Sequence, residues 1–403
     1  MSANRALATT KLFKPITVGT NELSHRVVFA PTTRVRASDD HTPTDLMLQH
    51  YDERSRYAGT FVIVEATFPT DKGALDVHIP GLWSKEHIVA WKRINDKIHA
   101  NKSFSSVQLW MLGRVADPEV LKGRYLPYVG VSPIYHSEEA RKIAHQSGNL
   151  LREYTQDELH QLIYESFANS ARSAIEAGFD YVEVHCAYGY LGDQFLQPCS
   201  NQRTDEYGGS IENRARFVLE LVDHLVSVVG AHRLAIRVSP WGKGQGMKGA
   251  DDVVHPITTF SYLLNELQKR ADSGHELAYV SLVEPRGPPP KDPLEVYQLP
   301  SNAFASKIWK GVFVKANYTY DAPNFEALQR DIEDDRTLIG FSRYFTSNPD
   351  LVERLRDGLQ LAEYDEDTFY QWNNWGYNTW NEHGHRRHYD EEKEKKRVPK
   401  IIK

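Results

Sequence analysis

Short apolar runs recur along the chain with helical patterns between them. Val27–Pro31, Phe61–Ala66, Ser105–Leu109 and Tyr181–His185 are the first four. Leu234–Val238, Leu277–Leu282, Val312–Ala316 and Thr337–Gly340 are the rest. Each is rich in β-branched and apolar residues with little alternation, which predicts strands covered on both faces. The intervening segments carry helix-end signals. Thr155 and Glu158 form a capping box ahead of a stripe of Leu159, Leu162, Ile163, Phe167, Ala171, Ala174 and Ile175, which Gly178 closes. Ser210 caps a second stripe, Phe217, Leu221, Leu225 and Val228, before Gly230. Asn348-Pro349 predicts a third helix with proline at its first position and Leu351, Val352 and Leu355 inward.

Eight strand–helix units without a break in composition predict a single α/β domain, a (β/α)8 TIM barrel, over residues 1–380. A doubly wound sheet is the competing architecture, but no Gly-x-Gly-x-x-Gly follows an early strand. Two segments leave the rhythm. Residues 113–154 are rich in Gly, Pro and Tyr with few helical signals and predict a capping segment over the barrel mouth. Residues 381–403 are charged and hold His383, His385 and His388; they predict a solvated tail rather than a metal site.

Composition narrows the function. The chain has 403 residues, 40% hydrophobic and 25% charged, with a net charge of -6, which offers nucleic acid or anionic membrane no general attraction. No apolar run is long enough to span a bilayer, and the first residues lack the pattern of a signal peptide. With only Cys186 and Cys199, a disulfide framework is not expected, and the cytoplasm is the expected compartment. A monomer or homodimer acting on a small molecule is the expected form.

The chemistry concentrates where the fourth run ends. Tyr181-Val-Glu-Val-His-Cys-Ala-Tyr-Gly-Tyr190 brings a histidine and two tyrosines to one strand end, followed by the polar loop that leads to Arg216. Such groups can hold a carbonyl oxygen and supply a proton, and strand ends on that face of a barrel are where catalytic groups collect.

This run, together with Ala30–Ala37, Val107–Trp110, Arg237–Pro240, Arg343–Asp350 and Asp367–Tyr370, resembles the Old Yellow Enzyme family of FMN-containing, NADPH-dependent ene-reductases. The likeness extends from about Leu12 to Tyr377. It implies a flavin site at Pro31, Thr33, Ala66, Gln108, Arg237, Asn317, Ser342 and Arg343. His185 and Tyr188 would hold the substrate carbonyl, Tyr190 would protonate the α-carbon, and Trp110 and Tyr370 would line the pocket. The implied reaction is reduction of the activated C=C bond of an α,β-unsaturated aldehyde or ketone.

The departures carry expectations too. Tyr188 stands where the family has asparagine or histidine, which predicts a narrowed pocket and a specialised natural-product substrate. Asn317-Tyr318 and Ser342-Arg343 replace Gly-Asn and Gly-Arg, and Ala66 replaces a glycine under the ring. Lost glycines predict a looser hold on FMN. The alternative reading keeps the barrel and the His/Tyr cluster for a redox-neutral isomerisation or cyclisation without a flavin cycle. A non-catalytic binder is the third reading, disfavoured because a pure binder has no use for a proton donor.

Overall fold

The eight apolar runs pair in parallel and close on themselves. In this computed structural model, which describes residues 4–72, 77–285, 300–316 and 322–402, the barrel strands are β1 (Val27–Phe29), β2 (Phe61–Thr67), β3 (Phe104–Leu109) and β4 (Tyr181–Cys186). They continue as β5 (Leu234–Val238), β6 (Tyr279–Val283), β7 (Phe313–Ala316) and β8 (Thr337–Phe341). Neighbours in the ring follow chain order, and β8 returns to β1 through Ile339 opposite Val27 and Phe341 opposite Phe29. The doubly wound alternative is thereby excluded.

Strand alternation explains why the runs read as continuously apolar. Val28, Phe61, Ile63, Tyr181, Ala235, Tyr279, Val314 and Leu338 fill the barrel interior. Their neighbours Val27, Val62, Val182, Ile236, Val280, Phe313 and Ile339 face the surrounding helices. Both faces are buried, so no polar period of two survives. The N-terminal end of the barrel is plugged by a hairpin, Ile16–Val18 against Asn21–Leu23. Its Val18 and Leu23 join the interior cluster, each burial contributing on the order of 2 kcal/mol. The Tyr181 hydroxyl ties it down by donating to the Val18 carbonyl at 2.7 Å. The opposite end, where the strands finish, is open.

Local readings of the helices were mostly met. Thr155 and Glu158 form the reciprocal capping box, and Ser210 caps Ile211–Val229. The first of these helices contains a π segment, Leu162–Phe167, between Gln156–Gln161 and Ala168–Glu176. Three expectations are corrected. The helix after Asn348-Pro349 starts at Leu351 with Asp350 as its cap. Asn348 is occupied elsewhere, exchanging hydrogen bonds with the backbone of Ala362 at 2.9 and 2.7 Å.

The capping segment is more helical than its composition suggested. Asp117 caps Pro118–Gly123 and Ser137 caps Glu138–Ser147, which Gly148 ends at φ +69°. The longer of the two buries only Ala140 and Ala144, too few apolar positions to make a readable stripe. The C-terminal segment is charged and largely exposed, yet it is anchored rather than free in solvent. The Asn374 N–H donates to the Arg397 carbonyl, the Asp45 N–H to that of Lys400, and Ile402 reaches the main core.

Candidate active site

The open end of the barrel surrounds a cavity of about 550 Å³. Pro31, Thr32 and Thr33 reach it from beyond β1, Ala66 from β2, and Gln108 and Trp110 from the end of β3. His185 comes from β4, Tyr188 and Tyr190 from the turn after it, and Arg237 from β5. Ser342 and Arg343 follow β8, and Tyr364, Glu366, Phe369 and Tyr370 form a further wall. Every residue anticipated at the site lines this one cavity except Asn317, which lies outside the described residues, as does Tyr318.

The His/Tyr cluster is tightly placed. The Tyr190 ring lies edge-on to both His185 and Trp110, at 5.2 and 4.8 Å between centroids. Trp110 in turn stacks on Phe68 at 5.3 Å. Burial, and then the nearby Arg237 cation, push the His185 imidazole down to about 3, so it is neutral at physiological pH. The Ala187 N–H donates to its Nδ1 at 3.4 Å, which leaves the ring proton on Nε2 as a donor. Tyr188 adopts φ +53°, a left-handed conformation that disfavours a bulky side chain. Its ring lies 5.5 Å from the Arg237 guanidinium carbon. Gly189 follows at φ +78°, and a Cβ there would sit 2.7 Å from that of Gln245, so only glycine fits between the two tyrosines.

The other side of the cavity is built for a polar-edged planar group. Ala66, Ala316 and Gly340 line it with the smallest side chains, and a Cβ on Gly340 would approach that of Ala316 to 3.1 Å. Gln108 donates through Nε2 to Glu183 Oε1 at 2.5 Å. Burial raises the Glu183 carboxyl above the ordinary glutamate range. Arg237 is 5% exposed, and its Nε has no hydrogen-bond partner among the described residues. Leftover capacity on a buried cation calls for an electron-rich ligand.

At the rim, Ser342 shares a 2.7 Å hydrogen bond with Thr32, and Arg343 pairs with Glu366. Ser342 has φ -106°, so serine replaces the expected glycine without the penalty of a positive φ. The anticipated looseness at this position therefore has no basis in backbone strain. Tyr370 stands at the edge and is 68% exposed.

Several contributors escaped the sequence reading: Glu183 beneath Gln108, Thr32 against Ser342, Glu366 against Arg343, and the floor residues Ala316 and Gly340. Only Glu183 left a signal. It lies two residues before His185 and so shares its face of β4.

A small-residue floor, with an amide and a guanidinium at the same cavity and a histidine–tyrosine cluster beside them, fits a bound FMN ring. Similarity to known proteins points the same way. Residues 11–362 match the NADH:flavin oxidoreductase / NADH oxidase family. The chain is 53% identical to a "Probable NADPH dehydrogenase" of Candida albicans, over 93% of this chain and 92% of that one. It is 45% identical to "Enoate reductase 1" of Kluyveromyces lactis, over 93% and 94% of the two chains. The crystal structure of Old Yellow Enzyme from Pichia sp. AKU4542 superposes with a TM-score of 0.92 at 44% identity, covering 98% of this chain and all of that one.

The class is that of an FMN-dependent barrel oxidoreductase with NADPH as reductant. The chain belongs to the NADH:flavin oxidoreductase / NADH oxidase family and, within it, to the Old Yellow Enzymes. Its chemistry is accordingly FMN-dependent reduction of the C=C bond of an enone or enal.

Proposed function

We propose that His185, Tyr188 and Tyr190 carry out the substrate half of this reduction. The observation that carries the reading is the shared cavity in which a neutral imidazole and two tyrosines face the residues suited to a flavin ring. FMN, once bound and reduced by NADPH, supplies the hydride for the β-carbon. His185 Nε2–H donates to the substrate carbonyl oxygen, withdrawing charge from the alkene and stabilising the enolate. The Tyr188 phenol is the second donor. Tyr190 then releases its hydroxyl proton to the α-carbon, a role suited to a group with a high pKa that stays protonated until a strong base forms. Gln108, Thr33 and Arg237 would hold the polar edge of the ring, with Pro31, Ala66, Asn317, Ser342 and Arg343 along the rest of the cofactor.

The substrate is an α,β-unsaturated aldehyde or ketone, and Tyr188 restricts it to a specialised natural product that can pass its ring. The redox-neutral alternative leaned on Tyr188 and on the altered phosphate loop. Ser342 needs no positive φ and FMN use is shared across the family, and these favour the flavin cycle over it. NADPH chemistry and two free cysteines suit a cytoplasmic setting.

The test is the visible spectrum of the purified protein under anaerobic conditions, with NADPH and then an enone added. Wild type should show a flavin band that bleaches and then returns. Tyr190→Phe should bleach at the wild-type rate and return roughly 100-fold or more slowly. Equal slowing of both phases would remove Tyr190 from its role. No flavin band after adding FMN would remove the redox reading altogether.

A further inference from the structure

Asp193 and Ser239 are fully buried polar side chains behind the cavity wall, with no place in the chemistry above. Ser239 follows directly on β5, two residues beyond Arg237, and its Oγ accepts the Tyr188 N–H at 2.7 Å. Asp193 lies in the helix Leu191–Leu196 and accepts the Gly189 N–H at 2.8 Å through Oδ2. Ser239 also hydrogen-bonds to the Asp193 carboxyl, and Gln197 donates to Oδ1 at 2.6 Å.

Three further backbone groups of the turn are also held. Gln194 Nε2 donates to the Gly189 carbonyl at 2.8 Å and the Leu112 carbonyl at 2.9 Å. The Tyr190 N–H donates to the Ala187 carbonyl, and the Gln194 N–H to that of Tyr190. Two consecutive left-handed residues would not hold this shape alone, least of all at a tyrosine. A relay runs from the Tyr188 amide through the Ser239 hydroxyl to the Asp193 carboxyl and back to the Gly189 amide. It couples the strand that carries Arg237 to the turn that carries both tyrosines.

We propose that Ser239 and Asp193 are positioning residues that lock the Tyr188–Gly189–Tyr190 turn so that the Tyr190 hydroxyl meets the substrate α-carbon. The inference rests on Tyr190 being the proton donor. Misplacing a reacting group by about 1 Å lowers its rate roughly 100-fold. A turn that loses one anchor should therefore slow proton delivery while leaving hydride entry from NADPH untouched. Asp193→Asn replaces one acceptor oxygen by an NH2 that faces an existing donor, either Gly189 or Gln197. Ser239→Ala removes the acceptor for Tyr188 with almost no change in volume.

The experiment uses the FMN-loaded enzyme in rapid mixing, with NADPH and then cyclohexenone, in normal and heavy water. Ser239→Ala and Asp193→Asn should bleach within about twofold of wild type and reoxidise at least about tenfold more slowly. Their solvent isotope effect on reoxidation should rise, because proton delivery has become limiting. Ser239→Thr, which restores the hydroxyl, should recover both values. A general loss of fold or of active fraction would lower both phases together without raising the isotope effect, and that result overturns the proposal. Unchanged reoxidation in Ser239→Ala overturns it as well, including when Asp193→Asn fails to fold. Tyr190→Phe run alongside separates the two readings. If it alone is slow, the acid assignment stands and the positioning role fails. If it reoxidises normally, both fail.

Discussion

Tyr188 holds a backbone conformation that asparagine tolerates and tyrosine resists, and it does so beside a buried cation. The two features oppose each other in stability. Tyr188→Asn should relieve strain on the order of 1 kcal/mol and give up a ring–guanidinium contact of similar size. The melting temperature should therefore move little. The cavity, by contrast, gains the volume of a phenol ring. The variant should turn over small unhindered enones with a lower KM, and steady-state assays across a series of increasing bulk would show it. An unchanged preference would mean that Tyr188 does not gate the pocket.

Residue identities at this site were readable because chemistry clusters at strand ends, as His185, Tyr188 and Tyr190 do within six positions of one another. Their supports were not. Ser239 and Asp193 look like ordinary loop and helix residues, and only folding brings the Tyr188 and Gly189 amides to them.

At the scale of elements, the wall formed by Glu366, Phe369 and Tyr370 belongs to a segment with little regular structure, held from below by two buried arginines. Arg34 donates to the carbonyls of Phe369 and Gly376 at 3.1 and 2.8 Å, and Arg36 to those of Asn373 and Thr368 at 3.1 and 2.9 Å. Both guanidinium groups also lie over the Tyr377 ring. The carbonyl oxygens of Thr368, Phe369 and Asn373 thus find their donors in cations from the loop after β1. Arg36→Met keeps the apolar stem and takes the guanidinium donor from the Asn373 and Thr368 carbonyls, each loss costing about 1–3 kcal/mol. The variant should become sensitive to limited proteolysis between residues 364 and 380 and show a raised substrate KM, with less effect on the NADPH step. Uniform protease resistance would show that the wall stands without the arginine.

The run Thr-Arg-Val-Arg36 was visible as a family feature, but its function as a strut was not, since its partners are backbone atoms more than 330 residues away. The same limit hid the two cap helices, whose buried faces are Pro118 with Leu121 in one and Ala140 with Ala144 in the other. It also hid the cap at Asp350, where a nearby proline offered a stronger but wrong signal.

For the whole molecule, the barrel was legible because strands buried on both faces announce themselves, whereas its buried charges did not. Glu65 sits inside β2 at a break in register with β3, accepting the Arg34 N–H at 3.2 Å and the Tyr51 hydroxyl at 3.3 Å. Burial pushes its carboxyl up to about 7 despite the nearby arginines, and burial does the same to Asp193. A carboxyl with a raised folded-state pKa binds its proton more tightly when folded. Between an unfolded value near 4 and about 7, the native state holds more protons, so stability falls as pH rises and levels off above 7. Buried histidines act in the opposite sense. His25 and His185 are pushed down to about 3, so folding gains stability as pH climbs from 3 toward the unfolded value near 6.5. The two groups of residues mask one another in the wild-type curve, and a difference experiment separates them. Glu65→Gln lacks the titration but keeps the size and one acceptor. Relative to this variant, wild type should lose on the order of 3 kcal/mol between pH 4 and 7 and nothing further by pH 8. Urea unfolding of both proteins across that range measures the gap directly. Parallel curves would mean that the Glu65 carboxyl titrates in the fold as it does in the unfolded chain, with Arg34 and Arg36 cancelling the effect of burial.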